Sequence, residues 1–106
     1  MNAYELLERV KTEFESSGFS FKSQGSDYYT EHEWKVGARF IGIKPTWRHN
    51  GTEENVTVTI TVLEIDKIWS AVSGRYKLPI SFKVPKNASD KVIRNRVAKA
   101  IEAYNR

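Results

Sequence analysis

Only two imidazoles, His32 and His49, stand in a chain without a single cysteine, so thiolate metal sites, iron–sulfur clusters, disulfides and a thiol nucleophile are all excluded. Glu31-His32-Glu33 has the composition of a metal-binding triplet. On a strand, however, His32 projects away from both glutamates, and no His-Glu-x-x-His spacing occurs elsewhere, so no metal is assigned. His49 beside Asn50 reads as a turn residue. The serines include no Gly-x-Ser-x-Gly elbow, and the six glycines form neither a P-loop nor a dinucleotide fingerprint. The close acidic pairs Glu53-Glu54 and Glu64 with Asp66 read as solvated charge. No catalytic residue and no cofactor follow from this inventory.

Cations are the residues that remain. Residues 1–66 hold 7 Lys and Arg against 11 Asp and Glu, and residues 67–106 hold 10 against 2, so the two parts carry −4 and +8. Clustered Lys and Arg release counterions from a phosphate backbone and steer encounter with a polyanion. Lys91, Arg94, Lys99 and Arg106 fall in a C-terminal helical segment, and Lys77 and Lys83 in the strand before it. These six are the candidate nucleic-acid contacts. Tyr29, Trp47 and Trp69 are the aromatic rings whose positions leave them open to stack on bases.

The elements that position these side chains follow from hydrophobic period. Ala3, Leu6, Leu7, Val10 and Phe14 recur at helical spacing behind Asn2, a candidate cap with Glu5 three residues on, and Gly18 ends the run. The period then changes to two. Phe19 and Phe21 alternate with polar neighbours, and Tyr28, Thr30, His32, Trp34 and Val36 share one face of a second strand that follows a turn at Gln24-Gly25-Ser26-Asp27. Ala38 to Trp47 leads to Asn50-Gly51, the pair that most favours a two-residue hairpin loop. Beyond it Val56, Val58, Ile60 and Val62 oppose Thr57, Thr59 and Thr61. A two-residue loop pairs His49 with Thr52, placing Ile43 opposite Val58 and Ile41 opposite Ile60, and predicts a bulge or frayed edge at Pro45. Asp66 to Gly74 fits neither period and reads as a connection with a short helical turn.

Tyr76 to Val84 alternates again, and Pro79 marks it as an edge strand. Asn87 or Ser89 then caps a helix whose stripe is Ile93, Val97, Ala100, Ile101 and Tyr104. The fold expected is α+β: an antiparallel sheet of four to five strands in meander order, framed by an N-terminal and a C-terminal helix, as one domain over residues 1–106. The order helix, antiparallel strands, helix resembles that of the double-stranded RNA-binding domain, in which a basic last helix grips RNA. This chain carries Lys86-Asn87-Ala88-Ser89-Asp90-Lys91 where that family has paired lysines, and its strand section is longer, so the resemblance extends to element order alone.

No run reaches the roughly 18 apolar residues of a membrane span, and the start lacks the features of a signal peptide, so a cytoplasmic, membrane-free protein is expected. Its expected partner is nucleic acid or an acidic protein surface, bound without catalysis. The alternative is a small protein–protein adaptor or inhibitor of the kind phages and mobile elements encode, using a sheet face that two helices leave uncovered and that Tyr29, Phe40 and threonines 57, 59 and 61 would line.

Overall fold

In the computed structural model the chain is described over residues 2–46, 57–67 and 75–106, with the side chains of 66, 67 and 75–79 outside that description. Helix α1 (Ala3–Glu15) leads into a five-stranded antiparallel sheet of β1 (Phe21–Gln24), β2 (Asp27–Thr30), β3 (Arg39–Thr46), β4 (Thr57–Lys67) and β5 (Arg75–Pro85), and helix α2 (Asp90–Tyr104) ends the fold. The strands lie in sequence order, so the sheet is a meander with β1 and β5 as its edges. The expected α+β class, strand order and framing helices are all present.

Local chemistry explains the boundaries. The Asn2 side chain accepts the Glu5 N–H at 2.9 Å, and that of Ser89 accepts the Val92 N–H at 3.3 Å, each occupying a donor that a helix start leaves unpaired. Gly18, with φ +95°, turns the chain out of α1. Gly25-Ser26 makes the two-residue turn that sets Gln24 opposite Asp27.

Both helices pack on one face of the sheet. Leu6, Leu7, Val10 and Phe14 of α1 join Ile93, Val97, Ala100 and Ala103 of α2 over Ile41, Ile43, Val58, Ile60, Val62 and Val84, all fully or nearly fully buried. Burying a side chain of this kind contributes about 1.5–3 kcal/mol, so this single cluster dominates the favourable side of folding. Arg9 in α1 reaches Asp90 at the start of α2 (3.4 Å), while Phe19, just past the end of α1, packs edge-on against Tyr104 at the end of α2 (5.4 Å). The two helices therefore run in the same direction.

Three expectations are corrected. The β3–β4 register places Ile43 opposite Ile60 and Ile41 opposite Val62, two residues from the pairing that a two-residue Asn50-Gly51 loop imposes. A slip of two keeps the same face buried, and the evenly spaced Val56, Val58, Ile60 and Val62 offer equivalent partners, so the period alone does not choose between them. Pro45 neither bulges nor frays: it stands buried opposite Val58, and the ladder continues to Thr46 with Thr57. Strand β2 pairs with β3 only at Gly42 and Ile43, so Pro45 faces no neighbour on that side that would need its missing N–H. The irregularities lie instead between β4 and β5, at Val62/Glu64 and Ile65/Lys67.

Third, the second strand ends at Thr30 and does not run on to Val36. There the Thr30 hydroxyl accepts the Ile41 N–H at 2.9 Å, taking the place of a ladder bond, and the chain leaves the sheet. It rejoins at Gly37, which has φ +83° and donates its N–H to the Ile65 carbonyl at 2.8 Å. Between these points Trp34 and Val36 are exposed, and His32 lies over Phe40. The hairpin tip with His49, Asn50-Gly51 and Glu53-Glu54, the rings Trp47 and Trp69, and the helical turn expected before Gly74 lie outside the described residues.

Candidate binding surfaces

The six candidate contacts divide between two surfaces. On α2 the buried stripe points to the sheet, and Lys91 and Lys99 project from the opposite side, exposed, together with Asn95, while Arg106, also exposed, lies past the end of the helix beside Arg39 and Ile80. Arg94 is exposed on the flank shared with Asp90, four residues earlier, which faces α1. Lys83 is elsewhere. Val84 pairs with Val58 in the core, so Lys83, opposite Thr59, belongs to the face away from α1 and α2, which among the described residues carries no helix. Lys77 pairs through its backbone with Glu64, and its side chain lies outside the description.

The helix-free face has its own order. Lys44, Thr59 and Lys83 form one row across β3, β4 and β5, and Tyr29, Gly42, Thr61 and Ser81 form the next across β2 to β5. The Thr46 and Thr59 hydroxyls are 2.8 Å apart and those of Thr61 and Ser81 3.5 Å, so this face is lined by hydroxyls between two lysines. Tyr29 lies across Gly42 so closely that a β-carbon there would stand 2.8 Å from the ring. Lys44 was not among the six expected contacts. Its alternation with buried Ile43 and Pro45 was the signal that assigns it to this face.

Pairing of charge is as uneven as its distribution. Arg9 binds Glu13 at 2.8 Å, Lys11 lies 3.7 Å from Glu15, Lys22 2.5 Å from Glu31 and Lys35 3.0 Å from Glu33. The bond to Glu13 holds the Arg9 guanidinium still further above its already high value, and the Lys22 ammonium, hydrogen-bonded to Glu31, holds that carboxyl below the usual range. Arg106 pairs with Glu102 at 3.7 Å. Among the described residues, Lys44, Lys83, Lys91, Arg94 and Lys99 make no ion pair.

Arg39 has a structural task. Its guanidinium donates to the carbonyls of Ala103 (3.1 Å), Tyr104 (3.4 Å) and Arg106 and lies 3.5 Å from Glu64, so a β3 side chain closes the C-terminal end of α2. The small cleft beside it, about 130 Å³ between Glu64, Ile80 and Ala103, is the space left around that closure.

A larger cleft of about 420 Å³ opens on the helix-free face between Gln24, Asp27, Tyr29, His32 and Phe40. His32 stacks on Phe40, ring centres 3.9 Å apart, and its Nδ1 lies 3.2 Å from the Thr30 carbonyl. A carbonyl only accepts, so Nδ1 carries the proton. Its Nε2 is buried with no hydrogen-bond partner. Leaving such an atom unpaired costs about 1–3 kcal/mol. Across the cleft the Tyr29 hydroxyl donates to Asp27 Oδ2 at 3.3 Å. Among the described residues no three His, Asp or Glu side chains are grouped to hold a metal, and no helix is long and apolar enough to cross a membrane. Compared with family models, curated proteins and solved structures, the chain matches none.

Proposed function

We propose that this protein is a non-enzymatic binding module that docks on nucleic acid through the cations of its C-terminal half. One observation carries the reading: Arg9, Lys11, Lys22 and Lys35 are engaged by carboxylates, whereas Lys83, Lys91, Arg94 and Lys99, and Lys44 from the N-terminal half, are exposed and make no ion pair among the described residues, Arg106 being paired with Glu102. A cation already paired within the protein must give up its partner to reach a phosphate, and one that is not keeps its full charge for the encounter. Lys91 and Lys99 supply the phosphate contacts from α2. Lys83, with Lys44, supplies a second row on the other side of β5.

Mobility-shift titrations with single-stranded and duplex DNA and RNA at low salt test this reading. Affinity should fall as salt rises, and each phosphate contact removed should flatten the plot of log K against log salt by about 0.7 for a single strand or 0.9 for a duplex. The double variants K91Q/K99Q and K44Q/K83Q assign the contacts to one surface or the other. Absence of binding at low salt, or binding indifferent to salt, overturns the proposal.

The sheet face away from α1 and α2 supports a second reading, a protein adaptor, because Thr46, Thr59, Thr61 and Ser81 line it with hydroxyls. Capture of one defined protein partner after nuclease treatment, abolished by T59K/T61K and unaffected by K91Q/K99Q, favours it over the first.

A further inference from the structure

We infer that the cleft between the β1–β2 hairpin and the β2–β3 connection binds a planar N–H-rich cation, a guanidinium or amidinium group. The inference is independent of the proposed docking of polyanions, since its lining has the opposite preference. Asp27 contributes a carboxylate, and in its neutral form the His32 ring, its Nδ1 committed to the Thr30 carbonyl, has only a lone pair at Nε2. That nitrogen is shut off from solvent without a partner, an arrangement that folded proteins keep rare and that a bound donor would resolve. The Tyr29 hydroxyl gives its proton towards Asp27.

Shape agrees with charge. The cleft has the volume of small-molecule sites, and the rings of Tyr29 and Phe40 among its walls favour a flat group over a tetrahedral ammonium. Of the nearby cations, Lys22 is held by Glu31 and Lys35 by Glu33, and Lys44, on the same face, makes no ion pair with Asp27. A guanidinium fork meets a carboxylate through two parallel N–H bonds, which a single ammonium cannot reproduce.

The test is a titration of the full isotopically labelled chain with agmatine, followed by the amide resonances of residues 24–32 and the ring nitrogens of His32. Saturable shifts confined to Gln24, Asp27, Tyr29 and His32 are expected, with the largest movement at His32 Nε2. Asp27→Asn should weaken binding by about tenfold or more, and butylamine, which has the charge without the fork, should bind several-fold more weakly than agmatine. His32→Phe keeps a ring on Phe40 and removes both nitrogens. It should lose affinity while its thermal midpoint and far-ultraviolet spectrum stay close to those of the parent chain. A blocked Gly-Arg-Gly peptide in a parallel titration separates the two sources of the group: tighter binding of agmatine assigns the cleft to a free small molecule, and tighter binding of the peptide assigns it to the arginine of a protein partner. No saturation by about 20 mM agmatine, equal affinity in D27N, or equal affinity for butylamine overturns the inference.

Discussion

At the scale of single residues, two contacts carry consequences that can be measured directly. The Tyr28 hydroxyl donates to Glu8 Oε1 at 2.6 Å, joining β2 to α1. That bond, reinforced by partial burial and by the Glu8 charge, raises the phenol above the ordinary tyrosine range. Because the folded value lies above the unfolded one, the stability contributed is fully present below about pH 10 and is lost as pH rises through the folded value. Tyrosinate absorbance should therefore show one tyrosine titrating late, and Glu8→Gln should bring it back towards the others. The second contact is Tyr29 over Gly42. Gly42→Ala forces the ring aside and should destabilise the fold by about 1–3 kcal/mol in a denaturant titration, and the cost should shrink when Tyr29→Ala is present. Neither contact was legible in the sequence, since each needs the register of a strand pair before the two residues are known to meet.

Among elements, the end of α2 is closed from outside itself. No basic residue lies in its last turn, and Arg39 from β3 supplies the donors instead. Arg39→Ala should cost about 1–2 kcal/mol, and amide exchange should accelerate at residues 103–106 while the centre of β4 stays protected. Arg39→Lys, which keeps the charge and loses the fork, should recover part of the loss. Both helices were fully legible, because their caps, their apolar stripes and the glycine after α1 all agree with one another. The strands were legible as to face and not as to register. Thr57, Thr59 and Thr61 alternate with valine and isoleucine so regularly that a shift of two residues changes nothing about which side is wet. The end of β2 was not legible: His32, Trp34 and Val36 continue the alternation of Tyr28 and Thr30, and only the Thr30 hydroxyl bound to Ile41 shows where pairing stops. For the same reason the cleft beside His32 was hidden, since the alternation of Glu31-His32-Glu33 reads as continued strand and excludes a chelate without showing what His32 faces.

For the whole molecule, one layer of helices over one sheet leaves a single core with Ile60 at its middle, opposite Ile43 on one side and Phe82 on the other. Ile60→Ala should lower stability by about 2–5 kcal/mol, seen as a fall in the thermal midpoint, because neighbours from α1, α2 and three strands cannot all close on the space. The division of charge was legible as a sum over the chain but not as a surface. Lys83 and Lys91 are eight residues apart in sequence, yet the pairing of Lys83 with Thr59 places it on the face opposite α2. The parallel course of α1 and α2 has a mechanical consequence. Arg9, midway along α1, lies beside the start of α2, and Tyr104 lies beside Phe19 just past the end of α1, so tension applied across residues 2 and 104 loads the helix pair in shear, along its length, before any strand is peeled from the sheet. Pulled from these positions, the molecule resists through the whole Leu6-to-Ala103 seam at once, whereas tension applied through the short β1 edge would open it one pair at a time.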